Sequence, residues 1–314
     1  MNQWGKETVP FLFLIDFEMK KPVAIPLSDI NPEEILFDIR GKKNFTQPDQ
    51  ITKPLNFKAF PVSKTRYCNA FQQVQKHIYR GDSFLLNLTF PNRIETNYSL
   101  KDIFYNSRAK YKIWYKDYFV SFSPEIFVQT RGRLIRSFPM KGTLDASLPK
   151  AEEKLLSDKK ELAEHFTIVD LIRNDLSMVA KKVKVNRFRY LDNIKTHKNE
   201  ILQMSSEIEG KLPENFREKL GDIIFKMLPA GSISGAPKKK TLEIIRQAEA
   251  CERGYYTGIA GIFDGKNVDS TVLIRFIEQT DNGLVYKSGG GITAKSHCEA
   301  EYEELIEKIY VPIT

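Results

Sequence analysis

The stretch FPMKGT, residues 138–143, places a single lysine between a proline and a glycine. The residues before it, 126–135, alternate apolar and polar side chains, which predicts a β-strand. Lys141 is therefore expected where that strand leaves its sheet. Most lysines in proteins are solvated, and a solvated loop lysine is one interpretation of Lys141. A lysine in a dry, cationic pocket becomes a nucleophile, which is the other interpretation.

Length and composition predict a large hydrophobic core. The chain has 314 residues, of which 41% are hydrophobic, and this length allows one large domain or two. No linker rich in proline, glycine or serine divides the chain, and its most irregular part is residues 40–64. The irregular part is therefore expected to be a surface excursion and not a domain boundary.

The three cysteines are Cys68, Cys251 and Cys298, and their spacing matches neither a metal site nor a disulfide framework. This usage is expected of a protein in the reducing cytoplasm. The apolar run 9–15 is too short to span a bilayer and lacks the flanking residues of a signal peptide. Association with a membrane is not expected.

The formal net charge of +8 raises the possibility of a nucleic-acid partner. The basic residues are, however, spread along the chain, and 238–240 is the only compact lysine run. No signature of a nucleic-acid-binding module is present. A small anionic substrate explains the charge equally well, and no nucleic-acid partner is expected.

Periodicity divides the chain into helices and strands. A helix is predicted over residues 65–79, because Ala70, Phe71, Val74 and Ile78 recur at helical spacing. Strands are predicted at 9–16, 83–90, 111–122 and 201–209.

A long helix is predicted after the lysine, with Phe166, Val169 and Ile172 in its core stripe. Glu164 falls on a neighbouring stripe with Ile168, at the edge of the buried surface. A half-buried carboxylate needs a partner, and a metal ion is one option. An ordinary ion pair with a lysine is the other.

Two glycine-rich segments are candidate anion sites. Residues 228–237, LPAGSISGAP, consist mostly of small residues and lead into a helix that is predicted to begin at Pro237. Residues 289–291 are three consecutive glycines after a predicted strand at 283–288. Backbone N–H groups in such segments approach an anion closely. A tight turn without a ligand remains the alternative for the first segment.

A hairpin is predicted from strands 257–264 and 268–279, joined through the Asp264-Gly265 turn signal. Arg275 lies inside the second strand, in an apolar run. An arginine there suits a bidentate contact with a carboxylate. A strand arginine that faces solvent is the alternative.

The C-terminal helix places Glu301, Glu304 and Lys308 on one stripe and Tyr302 and Leu305 on another. Two carboxylates on one stripe can bind a hard cation such as Mg²⁺. Solvated charges on an amphipathic helix would produce the same pattern.

Taken in order, the motifs resemble those of the chorismate-utilising enzymes, a family that includes anthranilate, aminodeoxychorismate, isochorismate and salicylate synthases. The motifs are SPE at 123–125, PMKGT at 139–143, AEH at 163–165, IVDLIRNDL at 168–176, GSISGAPK at 231–238, and GGG at 289–291 followed by EAEYEE at 299–304. The resemblance covers residues 65–314 and is thin before them. It implies an α+β fold with large antiparallel β-sheets packed face to face and helices on the outside. It also implies one chorismate-binding domain over 1–314, in which 1–64 form a shortened N-terminal part.

The resemblance also implies roles for individual residues. A Mg²⁺ ion would hold the ring carboxylate of chorismate through Glu164 and Glu304, with Glu301 near them. The groups expected around the enolpyruvyl carboxylate are Arg275, Tyr256, the backbone at Gly231 and Ser232, the backbone at Gly289, Gly290 and Gly291, and Lys308 close to the metal.

Three positions distinguish the chemistries within the resembled family. Aminodeoxychorismate synthases have lysine at the position of Lys141, where lyases and isochorismate synthases usually have alanine. The amine can add to C2 of the ring and expel the C4 hydroxyl, after which ammonia attacks C4 and expels the lysine. Glu125 resembles the acid that assists the leaving hydroxyl. Thr143 belongs to the same motif as Lys141, PMKGT at 139–143, and is expected to be catalytic with it.

The other two positions are Leu85 and Gln203. Leucine cannot act as the base that water-adding members need, and it also departs from the usual glutamine. Gln203 stands where the family usually has histidine, and a glutamine cannot take the proton that moves during pyruvate loss. The expectation is therefore amination of chorismate for folate synthesis, with ammonia from a separate glutamine amidotransferase subunit. The alternatives are a pyruvate-releasing anthranilate synthase and a binding protein without activity.

Overall fold

The structure is a computed structural model that describes residues 1–48, 53–157, 159–195 and 200–313. Its helices are α1 (Asn2–Lys6), α2 (Lys64–Tyr79), α3 (Leu100–Asn106), α4 (Ala151–Ser157), α5 (Lys159–Ser177), α6 (Leu220–Met227), α7 (Gly231–Ser234), α8 (Lys238–Glu249) and α9 (Cys298–Glu307). Short 3₁₀ helices lie at Leu27–Asp29 and Phe216–Lys219.

The strands in the described residues are β1 (Phe11–Ile15), β2 (Val23–Pro26), β3 (Ile35–Ile39), β4 (Lys42–Lys43), β5 (Phe57–Phe60), β6 (Leu85–Thr96), β7 (Tyr111–Tyr115), β8 (Phe119–Ser123), β9 (Ile126–Arg131), β10 (Leu134–Ser137), β11 (Met140–Asp145), β12 (Lys181–Lys195), β13 (Glu200–Lys211), β14 (Gly235–Ala236), β15 (Ile259–Phe263), β16 (Val268–Val272), β17 (Phe276–Thr280) and β18 (Gly283–Thr293). The chain forms two compact units. Unit 1 comprises Met1–Pro10, Glu125–Ser232 and Phe263–Ser270, and unit 2 comprises Phe11–Pro124, Ile233–Ile262 and Thr271–Thr314. The single domain expected from the sequence stays a prediction.

Unit 1 is built on an antiparallel sheet whose central strand is β13. This strand pairs with β12, β11 and β10, and β10 pairs in turn with β9. Helix α5 packs on β11, β12 and β13, and α4 packs on β11 and β13. A small core beneath these helices contains Leu155, Leu202 and Met204.

Unit 2 contains a sheet of nine described strands in the order β14-β6-β18-β17-β8-β7-β3-β4, with β5 paired to β6. The pairings within this sheet are antiparallel. The strands β15, β1 and β2 pair in that order elsewhere in the unit. The expectation of an α+β fold with large antiparallel sheets is confirmed.

The helices of unit 2 cover its nine-stranded sheet. Helix α2 packs against α8 and α9, which rest on β6 and β18, and α3 packs on β7 and β8. The predicted stripe of α2 is buried at Ala70, Phe71, Val74 and Ile78. Ser63 caps this helix by accepting a hydrogen bond from Arg66 N at 3.4 Å. The periodicity therefore predicted helix α2 correctly, and the Ser63 cap marks the residue at which it begins.

Two regions that were predicted as single strands are hairpins. Residues 111–122 are divided into β7 and β8 by a turn at Asp117, whose φ is 58°. Residues 126–135 are divided into β9 and β10 by a turn at Gly132, also with φ 58°. Apolar and polar residues continue to alternate through a short hairpin, so periodicity alone did not reveal these turns. The long strand β12 was not predicted.

Candidate active site

Lys141 lies within strand β11 and not where a strand leaves the sheet, which corrects the sequence prediction. Met140 pairs with Ser205 and Thr143 pairs with Gln203, so two residues of β11 face one residue of β13. This is a β-bulge, and Gly142 within it has a φ of +78°. A bulge redirects a side chain relative to a regular strand. The directions of the Lys141 and Thr143 side chains stay a prediction.

Glu125 and the small-residue loop meet inside unit 1. The Ser232 hydroxyl donates a hydrogen bond to Glu125 Oε1 at 2.7 Å. The Gly231 N–H donates to Asp175 Oδ2 at 2.9 Å, so a carboxylate occupies the amide that was expected to bind substrate. These four residues border a cavity of about 20 Å³, which has room for one water molecule. The loop therefore binds anionic groups, here those of the protein itself.

Glu164 is 6% exposed on α5, in agreement with its predicted place at the edge of buried surface. His165 beside it is also buried, and its Nε2 lies 2.7 Å from Ser206 Oγ. Burial of Glu164 restricts its partners to a few groups. Its role as a metal ligand stays a prediction.

Arg275 lies in the break between β16 and β17, where one continuous strand was predicted. Its φ is +50°, outside the extended region, and its carbonyl accepts a hydrogen bond from Phe122 N at 3.0 Å. The guanidinium lies 5.0 Å from the ring centre of Tyr310. Its Nε is buried and has no hydrogen-bond partner among the described residues. A buried donor of this kind calls for a partner, and an anionic ligand is suitable.

Tyr256 is buried close to this break, and its ring lies 5.8 Å from that of Phe276, the residue after Arg275. Unit 2 therefore brings together the arginine and the tyrosine that were expected to bind one carboxylate.

The three glycines 289–291 lie inside strand β18, whereas the strand was predicted to end before them, at residue 288. They pair with Thr89, Leu88 and Asn87 of β6. A Cβ on Gly289 would lie 2.3 Å from the Leu88 carbonyl oxygen, so no larger residue fits there. A Cβ on Gly290 would lie 3.4 Å from Glu304 Oε1 and 3.5 Å from Glu301 Oε2. The missing side chain at Gly290 thus leaves space in front of two carboxylates.

Helix α9 presents these carboxylates as its stripe predicted. Glu301 is 2% exposed, and Lys308 Nζ donates to Glu304 Oε1 at 2.6 Å and to the Gly289 carbonyl at 2.8 Å. Paired carboxylate oxygens suit a hard dication such as Mg²⁺. The described ranges contain no cluster of three or more histidine, cysteine or acidic groups, so a cation at Glu301 and Glu304 would also need oxygen ligands from water or substrate.

The cysteines correct another expectation. Cys68 on α2 and Cys298 at the start of α9 form a disulfide, although their sequence separation is 230 residues. Spacing in the sequence could not reveal this pair, because only the packing of α2 on α9 brings the two residues together. Cys251 is exposed and unpaired.

Across the part of the chain that the structure describes, no helix is both long and apolar enough to cross a membrane.

Three residues of these regions were missed at the sequence level. No role was predicted for Asp175 beyond its place in the motif at 168–176, and it accepts a hydrogen bond from the Gly231 amide. Tyr67 and Arg253 are buried polar residues of unit 2. The helical stripe offered a signal for Tyr67, which precedes Phe71 by four residues, but nothing in the sequence marked Arg253.

Comparison with known proteins agrees with this arrangement. Residues 29–314 match the family described as chorismate binding enzyme. The chain belongs to this family. A Haemophilus influenzae protein named "Uncharacterized PabA-like protein" is 54% identical over 313 residues, which are 99% of this chain and 95% of that relative.

Relatives named for their activities within the chorismate binding enzyme family are more distant. Anthranilate synthase component 1 of Acetivibrio thermocellus is 32% identical and aligns with 79% of this chain and 52% of its own length. Aminodeoxychorismate synthase component 1 of Escherichia coli is 32% identical and aligns with 94% of this chain and 66% of its own length. The chain is thus shorter than both named enzymes.

Solved structures show the same fold. Anthranilate synthase component I of Streptococcus pneumoniae has a TM-score of 0.70 and 26% identity, covering 83% of this chain and 60% of that one. The menaquinone-specific isochorismate synthase of Escherichia coli has a TM-score of 0.72 and 15% identity, covering 98% of this chain and 78% of that one. The second likeness supports the fold alone.

Proposed function

We propose that this protein aminates chorismate at C4, as an aminodeoxychorismate synthase component I that serves p-aminobenzoate and folate synthesis. The observation that carries the proposal is Lys141 in the bulge of β11, next to Gly142 in the left-handed region. A bulge is a costly irregularity that occurs often beside active sites. The lysine at this position is also the residue that distinguishes aminating members from lyases in the sequence resemblance.

The proposed reaction uses Lys141 as a nucleophile. Its neutral amine attacks C2 of the ring, both conjugated ring double bonds shift, and the C4 hydroxyl leaves as water with a proton from Glu125. Ammonia then attacks C4, both ring double bonds return to their original positions, and the lysine leaves C2 as its neutral amine once a proton has been transferred to it. The sum is chorismate plus ammonia giving 4-amino-4-deoxychorismate plus water. The Ser232 hydroxyl that donates to Glu125 would fix the direction of that acid.

Chorismate has a ring carboxylate and an enolpyruvyl carboxylate, and the enolpyruvyl carboxylate would be bound by Arg275 and Tyr256. Arg275 offers a buried Nε without a partner, and Tyr256 lies at the same strand break. A Mg²⁺ ion, with Glu301 and Glu304 as candidate ligands, would neutralise the ring carboxylate. Lys308, which bonds Glu304 and the Gly289 carbonyl, would hold the helix that carries the two α9 carboxylates.

The proposed ammonia source is a separate glutamine amidotransferase subunit. None of Cys68, Cys251 and Cys298 lies in a Gly-x-Cys-x-Gly turn typical of a glutaminase nucleophile. Cys68 and Cys298 are joined to each other, and a sulfur in a disulfide is not a thiolate nucleophile. The pure chain is expected to use ammonium salts and not glutamine.

The second candidate is a lyase that forms anthranilate, and the 32% identity to a named anthranilate synthase favours it. Two residues speak against it. Gln203 faces Thr143 across the strand pair, two residues from Lys141, and an amide cannot accept the proton that pyruvate loss requires. Lys141 takes the position at which lyases of the resembled family usually have alanine. Leu85, buried at the start of β6, cannot serve as a base, which argues against the separate water-adding chemistries.

The deciding experiment identifies the product by mass after incubation with chorismate, Mg²⁺ and ammonium. Aminodeoxychorismate without pyruvate supports the proposal, and stoichiometric pyruvate with anthranilate fluorescence contradicts it. Without ammonia, the peptide that contains Lys141 should carry an adduct heavier by chorismate minus one water, because nothing displaces the enzyme. Lys141→Ala should lose this adduct, and an unchanged adduct in that variant would place the nucleophile elsewhere.

A further inference from the structure

Tyr67 carries a hydroxyl that packing alone does not explain. The residue is 0% exposed on α2, and its ring lies 5.8 Å from Phe90 and 5.4 Å from Tyr302. The hydroxyl has no hydrogen-bond partner in the described part of the chain. A phenylalanine would fill the same space without leaving a buried polar group unpaired, which costs about 1–3 kcal/mol. The hydroxyl therefore indicates a partner other than the described residues.

The surroundings of Tyr67 identify the direction of that partner. The Tyr67 ring lies 5.4 Å from the ring of Tyr302, the residue after Glu301 on α9. It also lies 5.8 Å from the ring of Phe90, which pairs with Ser288, two residues before Gly290. The carboxylates of Glu301 and Glu304 lie in front of Gly290. Tyr67 thus packs against α9 and β6, the elements that border this space.

The backbone around Tyr67 is fixed relative to these carboxylates. The next residue, Cys68, is joined by the disulfide to Cys298, the first residue of α9. Glu301 follows three residues later on that helix. A hydroxyl held this firmly is suited to orient a small ligand, because little conformational freedom remains to be lost on binding.

We propose that Tyr67 is a positioning residue for the divalent cation at Glu301 and Glu304, and that its hydroxyl accepts a hydrogen bond from a water bound to that cation. The inference rests on the cation site of the proposed function. A cation-bound water donates both its protons, and a phenol oxygen accepts one of them. The water's other proton is then free for a second hydrogen bond, which a carboxylate oxygen of Glu301 can accept. Residues that orient a metal's ligands without touching the metal typically change its affinity about 10–100-fold when they are removed.

The test measures binding of Mn²⁺ to the full chain by the electron paramagnetic resonance signal of the free ion, with and without chorismate. Tyr67→Phe should weaken the Kd for Mn²⁺ about tenfold or more while the unfolding midpoint stays the same or rises. Tyr302→Phe is the matched control, because that hydroxyl donates to the Val62 carbonyl at 2.8 Å and should leave the Kd unchanged. Glu304→Gln should abolish binding.

The outcomes separate the inference from the proposed function. A Tyr67→Phe Kd within twofold of the wild type, with binding lost in Glu304→Gln, contradicts the role of Tyr67 and leaves the cation site in place. Equal weakening by Tyr67→Phe and Tyr302→Phe also contradicts it, because it indicates a general packing effect. Unchanged binding in Glu304→Gln, or no binding by the wild type, removes the cation site and the inference with it.

Discussion

Arg253 and Arg275 are two arginines of the same unit, with guanidinium groups in contrasting surroundings. Arg253 is 2% exposed, and its Nε and Nη2 donate to Glu249 at 2.9 Å and 2.6 Å. Further donations go to the carbonyls of Ile233 and Asn87. Burial acts to lower the pKa of Arg253, but the charge and hydrogen bonds of Glu249 outweigh it and the pKa is raised.

Arg275 has the opposite arrangement. Arg275 as a whole is only half-buried, yet its Nε atom is buried and has no hydrogen-bond partner in the described residues. Its backbone is in the left-handed region, which a non-glycine residue adopts at some cost. The difference teaches that burial of a charge does not by itself indicate function. A satisfied buried charge belongs to the fold, whereas an unsatisfied donor in a strained backbone indicates a ligand.

The largest expected effect is loss of stability on Arg253→Met. The change leaves the Glu249 carboxylate buried without its cation, which typically costs about 3–5 kcal/mol. Urea unfolding should show the loss, and Arg253→Met combined with Glu249→Gln should recover part of it. Arg93→Met is the control, because Arg93 and Glu95 form an exposed pair worth about 0–1 kcal/mol. Equal losses of unfolding free energy in Arg253→Met and Arg93→Met would contradict the structural role assigned to the buried Arg253–Glu249 pair.

The next effect is catalytic. Arg275→Met should lower kcat/KM for chorismate about 100-fold, because loss of one partner of a buried charge pair costs about 2–5 kcal/mol. The unfolding midpoint should fall much less than in Arg253→Met, because the change removes the contact with Tyr310 while Nε has no hydrogen-bond partner in the described residues to lose. Arg275→Lys should be intermediate, because lysine keeps the charge without the planar fork. A large drop in stability with normal kcat/KM would place Arg275 with Arg253.

The smallest effect concerns the glycine strand beside Arg275. Gly290→Ala should fold normally, because its Cβ would meet the Glu304 and Glu301 oxygens at 3.4 Å and 3.5 Å, which are ordinary contacts. It should raise the Mg²⁺ concentration for half-maximal activity less than about tenfold, since one methyl group then borders the carboxylates. Gly289→Ala is the contrast, because its Cβ would lie 2.3 Å from Leu88 O and should lower the unfolding midpoint. An unchanged Mg²⁺ requirement in Gly290→Ala would argue against a cation at this place.

The sequence by itself determined the family, the fold class and the existence of most regular elements. Glu301, Glu304 and Lys308 share one stripe of α9 because helical spacing is a local property. The order of the motifs likewise needs no coordinates. Local rules failed where a short turn interrupts an otherwise continuous pattern, as in the hairpin of β9 and β10 and the break at Arg275.

Only the tertiary structure decided which distant residues meet. The Cys68–Cys298 disulfide and the contact of the Tyr67 ring with Tyr302 of α9 depend on the packing of α2 against α9. The bulge at Lys141 depends on the register between β11 and β13, which the pairing of whole strands sets. Periodicity records which face of an element is buried, but it carries no information about which other element covers that face.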